Sequence, residues 1–171
     1  MGVKFTAIFN NNNSTFEKIE NLKRKLKLEW SKKRSEDNSL DWSTIYCDDP
    51  KEHFERYGHV GLMGSNGDLL NISSNLIELQ SEVDWFAFLK FPETREEVRA
   101  DCLLIAGMVG NPIYLPDSYS YSSFVFEGNT FDDVLSSLQK KYGEPMKDIA
   151  CMLIQNEFYW ETTGYYIDSL I

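Results

Sequence analysis

Apolar residues recur at every second position near the start of the chain, at Val3, Phe5, Ala7 and Phe9 of "VKFTAIF", and this alternation predicts a buried first strand. "NNNNST" then supplies turn residues, with Ser14 or Thr15 as a helix cap. Beyond it the period changes. Phe16, Ile19, Leu22, Leu26 and Trp30 follow at spacings of three and four, which is one face of a helix. "SEDNSLD" closes that helix with a loop, and "WSTIYC" is a short strand. "DDPKEHFERYG" reads as a helical turn begun at Asp49 with Pro50 in the first position.

"HVGLMGSNGDLLNIS" reads as two strands around a hairpin turn at Asn66-Gly67. "SNLIELQSEV" is expected to be a short helix, and the nearly continuous apolar run "DWFAFLKF" a central strand stopped by Pro92. "ETREEVRADCLLIAGMVG" makes a helix ending near Gly107 or Gly110, and "NPIYLPD" and "SYSYSSFVFEG" look extended. "NTFDDVLSSLQKKYGEP" carries the clearest helix: Asn129 or Thr130 caps it, Asp132 and Asp133 suit its positive end, and Lys140 and Lys141 suit its negative end. The tail after Pro145 is read as extended segments about a turn at "ETTG", with a helical alternative for its first half. Strands and helices mix without strict βαβ alternation. The pattern predicts a single α+β domain over residues 1–171, a largely antiparallel sheet with about three to four helices mainly on one face.

At 171 residues, 42% hydrophobic and 26% charged, the chain can bury a core without metals or disulfides. No run approaches the ~18 apolar residues of a membrane span, and the N-terminus lacks a signal-like apolar region and cleavage site. Cys47, Cys102 and Cys151 are odd in number and widely spaced, which points to reduced thiols and a cytoplasmic protein.

Charge adds an asymmetry to this picture. The formal net charge is -10, yet eight of the 17 basic residues fall between Phe16 and Arg34. The apolar stripe accounts for that helix with its lysines on the wet face, and the remaining surface is left strongly acidic. A chain this negative repels nucleic acid as a whole, and no zinc-finger, RNP-like or helix-turn-helix signature is present.

The most chemistry-like window is "CDDPKEHFERYGH", which holds Cys47, Asp48, Asp49, His53 and His59. Its spacing matches no common structural zinc pattern, so no metal and no cofactor is expected, and a Cys-His nucleophile there needs a contact that spacing alone does not provide. The sequence holds no phosphate-binding glycine loop and no nucleophile elbow. "DSYSYSSFVFEG" differs in character: Tyr and Ser are the pair that binding surfaces use, so Asp117, Tyr119 and Tyr121 are candidate partner-binding residues. Trp160, Tyr165 and Tyr166 form a second aromatic cluster and join them.

The expectation is a non-catalytic protein-binding domain, an acidic cytosolic protein that holds a basic partner by electrostatic steering and aromatic anchors. This general character is similar to that of acidic inhibitors of basic nucleases and toxins, such as bacterial immunity proteins. "FDDVLSSLQKKYG" resembles helices of that broad group over this one segment, a resemblance that implies a toxin-like basic partner and assigns no residue. The alternative is a small enzyme or a metal- or ligand-binding domain that uses the Cys47-His53-His59 window.

Overall fold

A computed structural model describes residues 2–12, 15–33, 43–44, 48–64, 67–119, 123–152 and 164–171. β1 (Lys4–Asn10) runs through the interior of one antiparallel sheet, with all residues from Phe5 to Phe9 buried. It is flanked by β5 (Leu76–Asp84) and β6 (Ile113–Pro116). The remaining strands are β2 (Ser43–Thr44), β3 (His59–Met63), β4 (Leu69–Ser73) and β7 (Tyr166–Ile167), in the order β2-β3-β4-β5-β1-β6-β7. β3 and β4 form the hairpin expected around "GSNG"; Gly67 has a positive φ of 91°, and Asn66 lies outside the described residues.

The α+β class and the antiparallel sheet agree with the sequence pattern, but the helices differ. Six α-helices occur among the described residues, and they cover both faces. On one face Phe5, Ala7 and Phe9 pack with residues of α1 (Phe16–Lys33), α3 (Trp85–Lys90) and α4 (Pro92–Val109). On the other, Ile8, Ile113 and Leu115 pack with α5 (Ser123–Phe126) and α6 (Phe131–Tyr142). The reason lies in β1 and β6, which carry apolar residues at both parities, Ile8 against Phe5, Ala7 and Phe9 in β1 and Ile113 and Leu115 against Tyr114 in β6, so neither face of the sheet can be left to water. No helix among the described residues is long and apolar enough to cross a membrane.

Two assignments exchange places. "SNLIELQSEV" is the strand β5, not a helix, and "DWFAFLKF" holds the helix α3, not a strand. Leu76, Leu79 and Val83 mimic helical spacing only because Glu78, between Ile77 and Leu79, is an inward-facing polar residue that hides the strand alternation. In α3 the buried residues are Trp85, Phe88 and Leu89, the three-four spacing of a helix face. "SYSYSSFVFEG" was expected to be extended, yet residues 123–126 are helical.

Local rules hold elsewhere. Thr15 Oγ1 accepts from the Lys18 N–H at 3.3 Å, which caps α1, and the Ile19, Leu22, Leu26 and Trp30 stripe is buried. α6 has a complete capping box: the Thr130 side chain accepts from the Asp133 N–H and the Asp133 carboxylate from the Thr130 N–H. The C-terminal segment is tied down by side chains. Asn111 Oδ1 accepts from the Leu170 and Ile171 N–H groups at 2.8 and 3.0 Å, and Arg99 grips buried Asp168 through Nε–Oδ2 at 2.7 Å and a second N–H at 3.1 Å. This paired contact holds the Arg99 guanidinium protonated well above its ordinary range, chiefly through the hydrogen bond to Asp168.

Candidate functional site

The aromatic residues nominated from the sequence have different fates. Tyr165 is fully buried, and its hydroxyl donates to the Gly143 carbonyl at 2.8 Å. Burial first, and then the charge of Glu144, push its phenol above the ordinary range. Tyr166 is half-buried and stacks on Tyr114 with ring centroids 6.3 Å apart. Both side chains therefore serve packing, and Tyr165 has no surface to offer a partner. Asp117 is half-buried, and its Oδ1 accepts from the Lys4 N–H at 3.1 Å, which fastens the start of β1. The Tyr119 backbone lies in a short 3₁₀ turn (Asp117–Tyr119) after β6. The Tyr119 side chain, Tyr121 and Trp160 lie outside the described residues, as does Cys47.

The histidine window does fold into a cluster. Asp49 caps α2 (Pro50–Tyr57), its side chain accepting from the Lys51 and Glu52 N–H groups at 3.1 and 3.2 Å, with Pro50 at the first helical position as the sequence predicts. Gly58 ends the helix at φ 78°, a left-handed conformation in which a side chain is strained. This turn brings the chain straight into β3, so His59 arrives beside the last turn of α2. His53 and Tyr57, four residues apart on one face, contact each other at 4.7 Å between ring centroids. The His53 and His59 rings meet edge-on at 5.0 Å, and Phe126 of α5 lies 4.6 Å from His59.

The corner formed by α2, β3 and α5 has a mixed character. Tyr57 and Phe126 are exposed by 54% and 44%, high for large aromatic residues that contact other rings. Glu52 and Glu55 of α2 and Glu127 beside Phe126 are also exposed. Arg56 reaches over the Tyr57 ring at 5.4 Å. His59 is held below its ordinary pKa, first by burial and then by the neighbouring His53, so it favours the neutral form. Two imidazoles alone make an incomplete metal set, and no group of three or more His, Cys, Asp or Glu able to hold an ion occurs among the described residues.

Sequence reasoning missed the buried acids Asp68, Glu78, Asp101 and Asp168, of which two lie deepest. Glu78, fully buried on β5, accepts from the Asn71 and Gln80 side-chain amides at 3.2 and 2.9 Å. Asp168 is the other. An acid in a strand looks like a surface residue, and for Glu78 only its cross-strand partner, Asn71, marks it as internal. Phe126 was not nominated from the sequence, because its exposure depends on α5 being helical. Comparison of the chain with protein-family models, curated proteins and solved structures returns no match.

Proposed function

We propose that this chain is a non-catalytic, acidic binding protein of the cytoplasm that holds a basic protein, with a toxin of that charge as the partner class. The observation that carries the reading is the corner where Tyr57 and Phe126 stay exposed around His59, with exposed Glu127 next to Phe126 in the chain and the exposed carboxylates Glu52 and Glu55 elsewhere on α2. Rigid aromatic residues supply anchoring area at low entropic cost, while a rim of carboxylates steers a cation inward and rejects acidic competitors. Tyr119 and Tyr121 precede α5 in the chain and are proposed as further contacts of the same partner.

The test is capture of a basic protein from the source cells, followed by purified-component binding. Tyr57→Ala and Phe126→Ala are expected to weaken the complex about tenfold or more each. Glu52→Lys with Glu55→Lys slows association and flattens its salt dependence. Binding that is indifferent to salt and to all four changes would refute the reading.

A second reading is favoured by the His53–His59 contact at 5.0 Å, a pair that a ligand or metal site uses. Under it, untagged protein retains close to one equivalent of metal, or His53→Ala abolishes an activity while the fold survives. A protein lacking both properties leaves only the binding role.

A further inference from the structure

The face of the molecule that bears α1 and α4 carries a separate opening. A cavity of about 270 Å³ lies between the two helices, lined by Lys18, Asn21, Leu22 and Lys25 of α1 and Met108 of α4. The four α1 residues follow at spacings of three and four, so they form one stripe along the helix. Leu22 is buried and Met108 half-buried, which makes an apolar floor with an adaptable thioether. The Lys18 and Lys25 side chains are exposed, two helical turns apart, and neither makes an ion pair among the described residues. Leu28, three residues beyond Lys25 on the same side of the helix, is 57% exposed.

We propose that this cleft is a binding site for an acidic, amphipathic segment of a partner protein, with carboxylates meeting Lys18 and Lys25 and apolar side chains covering Leu22, Met108 and Leu28. Three observations choose this occupant. The charge is complementary only to an anion. The apolar floor calls for carbon as well as charge, which a phosphate or sulfate lacks. The cleft runs about 10 Å along the axis from Lys18 to Lys25, two helical turns, and Leu28 lies one turn beyond it, an arrangement that suits a peptide segment lying along α1. A polyanion such as nucleic acid brings a long row of phosphates against the acidic remainder of the surface, whereas a short segment with two or three carboxylates does not. The helix-in-groove mode meets these conditions. The site lies on other elements than the Tyr57–Phe126 corner, so either assignment can fail without the other.

The experiment uses the full chain and a fluorescent amphipathic peptide with leucines on one face and glutamates on its flanks. Its partners are the same peptide with glutamine for glutamate and a single-stranded oligonucleotide. The expected result is saturable binding of the glutamate peptide, at least tenfold weaker for the glutamine peptide and weaker still for the oligonucleotide. Lys18→Glu with Lys25→Glu should abolish binding, Leu28→Ala should reduce it severalfold, and the neutral pair Lys18→Gln with Lys25→Gln keeps the test valid if charge reversal disturbs the fold. No binding at millimolar peptide, equal affinity of the two peptides, or unchanged binding by a folded lysine variant would overturn the proposal. Tighter binding of the oligonucleotide overturns it in favour of nucleic acid.

Discussion

A buried carboxylate is costly unless N–H groups answer it, and the two deeply buried acids are answered in different ways. Glu78 takes neutral amides from Asn71 and Gln80, whereas Asp168 takes the forked guanidinium of Arg99. Arg99→Ala therefore strands an internal charge and should lower stability by about 2–3 kcal/mol in urea unfolding, while Arg99→Lys recovers only part because it lacks the fork. His59 gives a pH signature of the opposite kind. Its folded pKa lies below the unfolded value of 6.5, so at neutral pH both states are uncharged and nothing is lost. As pH falls below 6.5 the unfolded chain takes up the proton first, and stability drops until the folded-state value is passed. His59→Gln should flatten this slope in urea midpoints measured between pH 7 and 5. An unchanged slope would assign it to another group.

At the scale of elements, legibility tracked how much of the code was local. α6 was readable in full because its capping residues, end charges and closing glycine lie within the segment itself. Thr130→Ala should cost about 1 kcal/mol, read as a lower thermal midpoint with an unchanged fold. The start of α2 was legible for the same reason, through Asp49 and Pro50, whereas its stop at Gly58 was not read. β5 and α3 were exchanged because their identity is set by what lies across the sheet: Glu78 is tolerable in the interior only with Asn71 opposite, and a six-residue helix of large apolar side chains has too few positions to separate its period from that of a strand. The candidate corner was half legible. The histidine window stood out by composition, but its meeting with Phe126 is a long-range contact that no local pattern encodes.

For the whole molecule, the expectation of one covered face failed at a residue that can be tested. Ile8 points away from Phe5, Ala7 and Phe9, and in a sheet with one wet face it would be an exposed position of little consequence. Here it is fully buried with Val134 and Leu138 of α6. Ile8→Ala should cost about 2–4 kcal/mol, comparable with a core truncation on the other face, and a loss below 1 kcal/mol would argue against the second layer. The sheet class itself was legible because the hairpin and the alternating first strand are local. The number of layers was not, since it depends on where α5 and α6 return.

The position of β1 has a consequence for synthesis. β1 is synthesised before both of the strands that border it, β5 and β6, and β6 follows only after β2 to β5 and α1 to α4. Until Ile113–Pro116 emerges, one edge of β1 and much of its apolar surface have no native cover, so the nascent chain passes through a long interval in which a sticky ribbon is open to chaperones and to neighbouring chains. Pairings over such sequence distances are slow to form. The yield of folded protein in the cell therefore depends on elongation rate and chaperone supply more than its final stability alone would indicate.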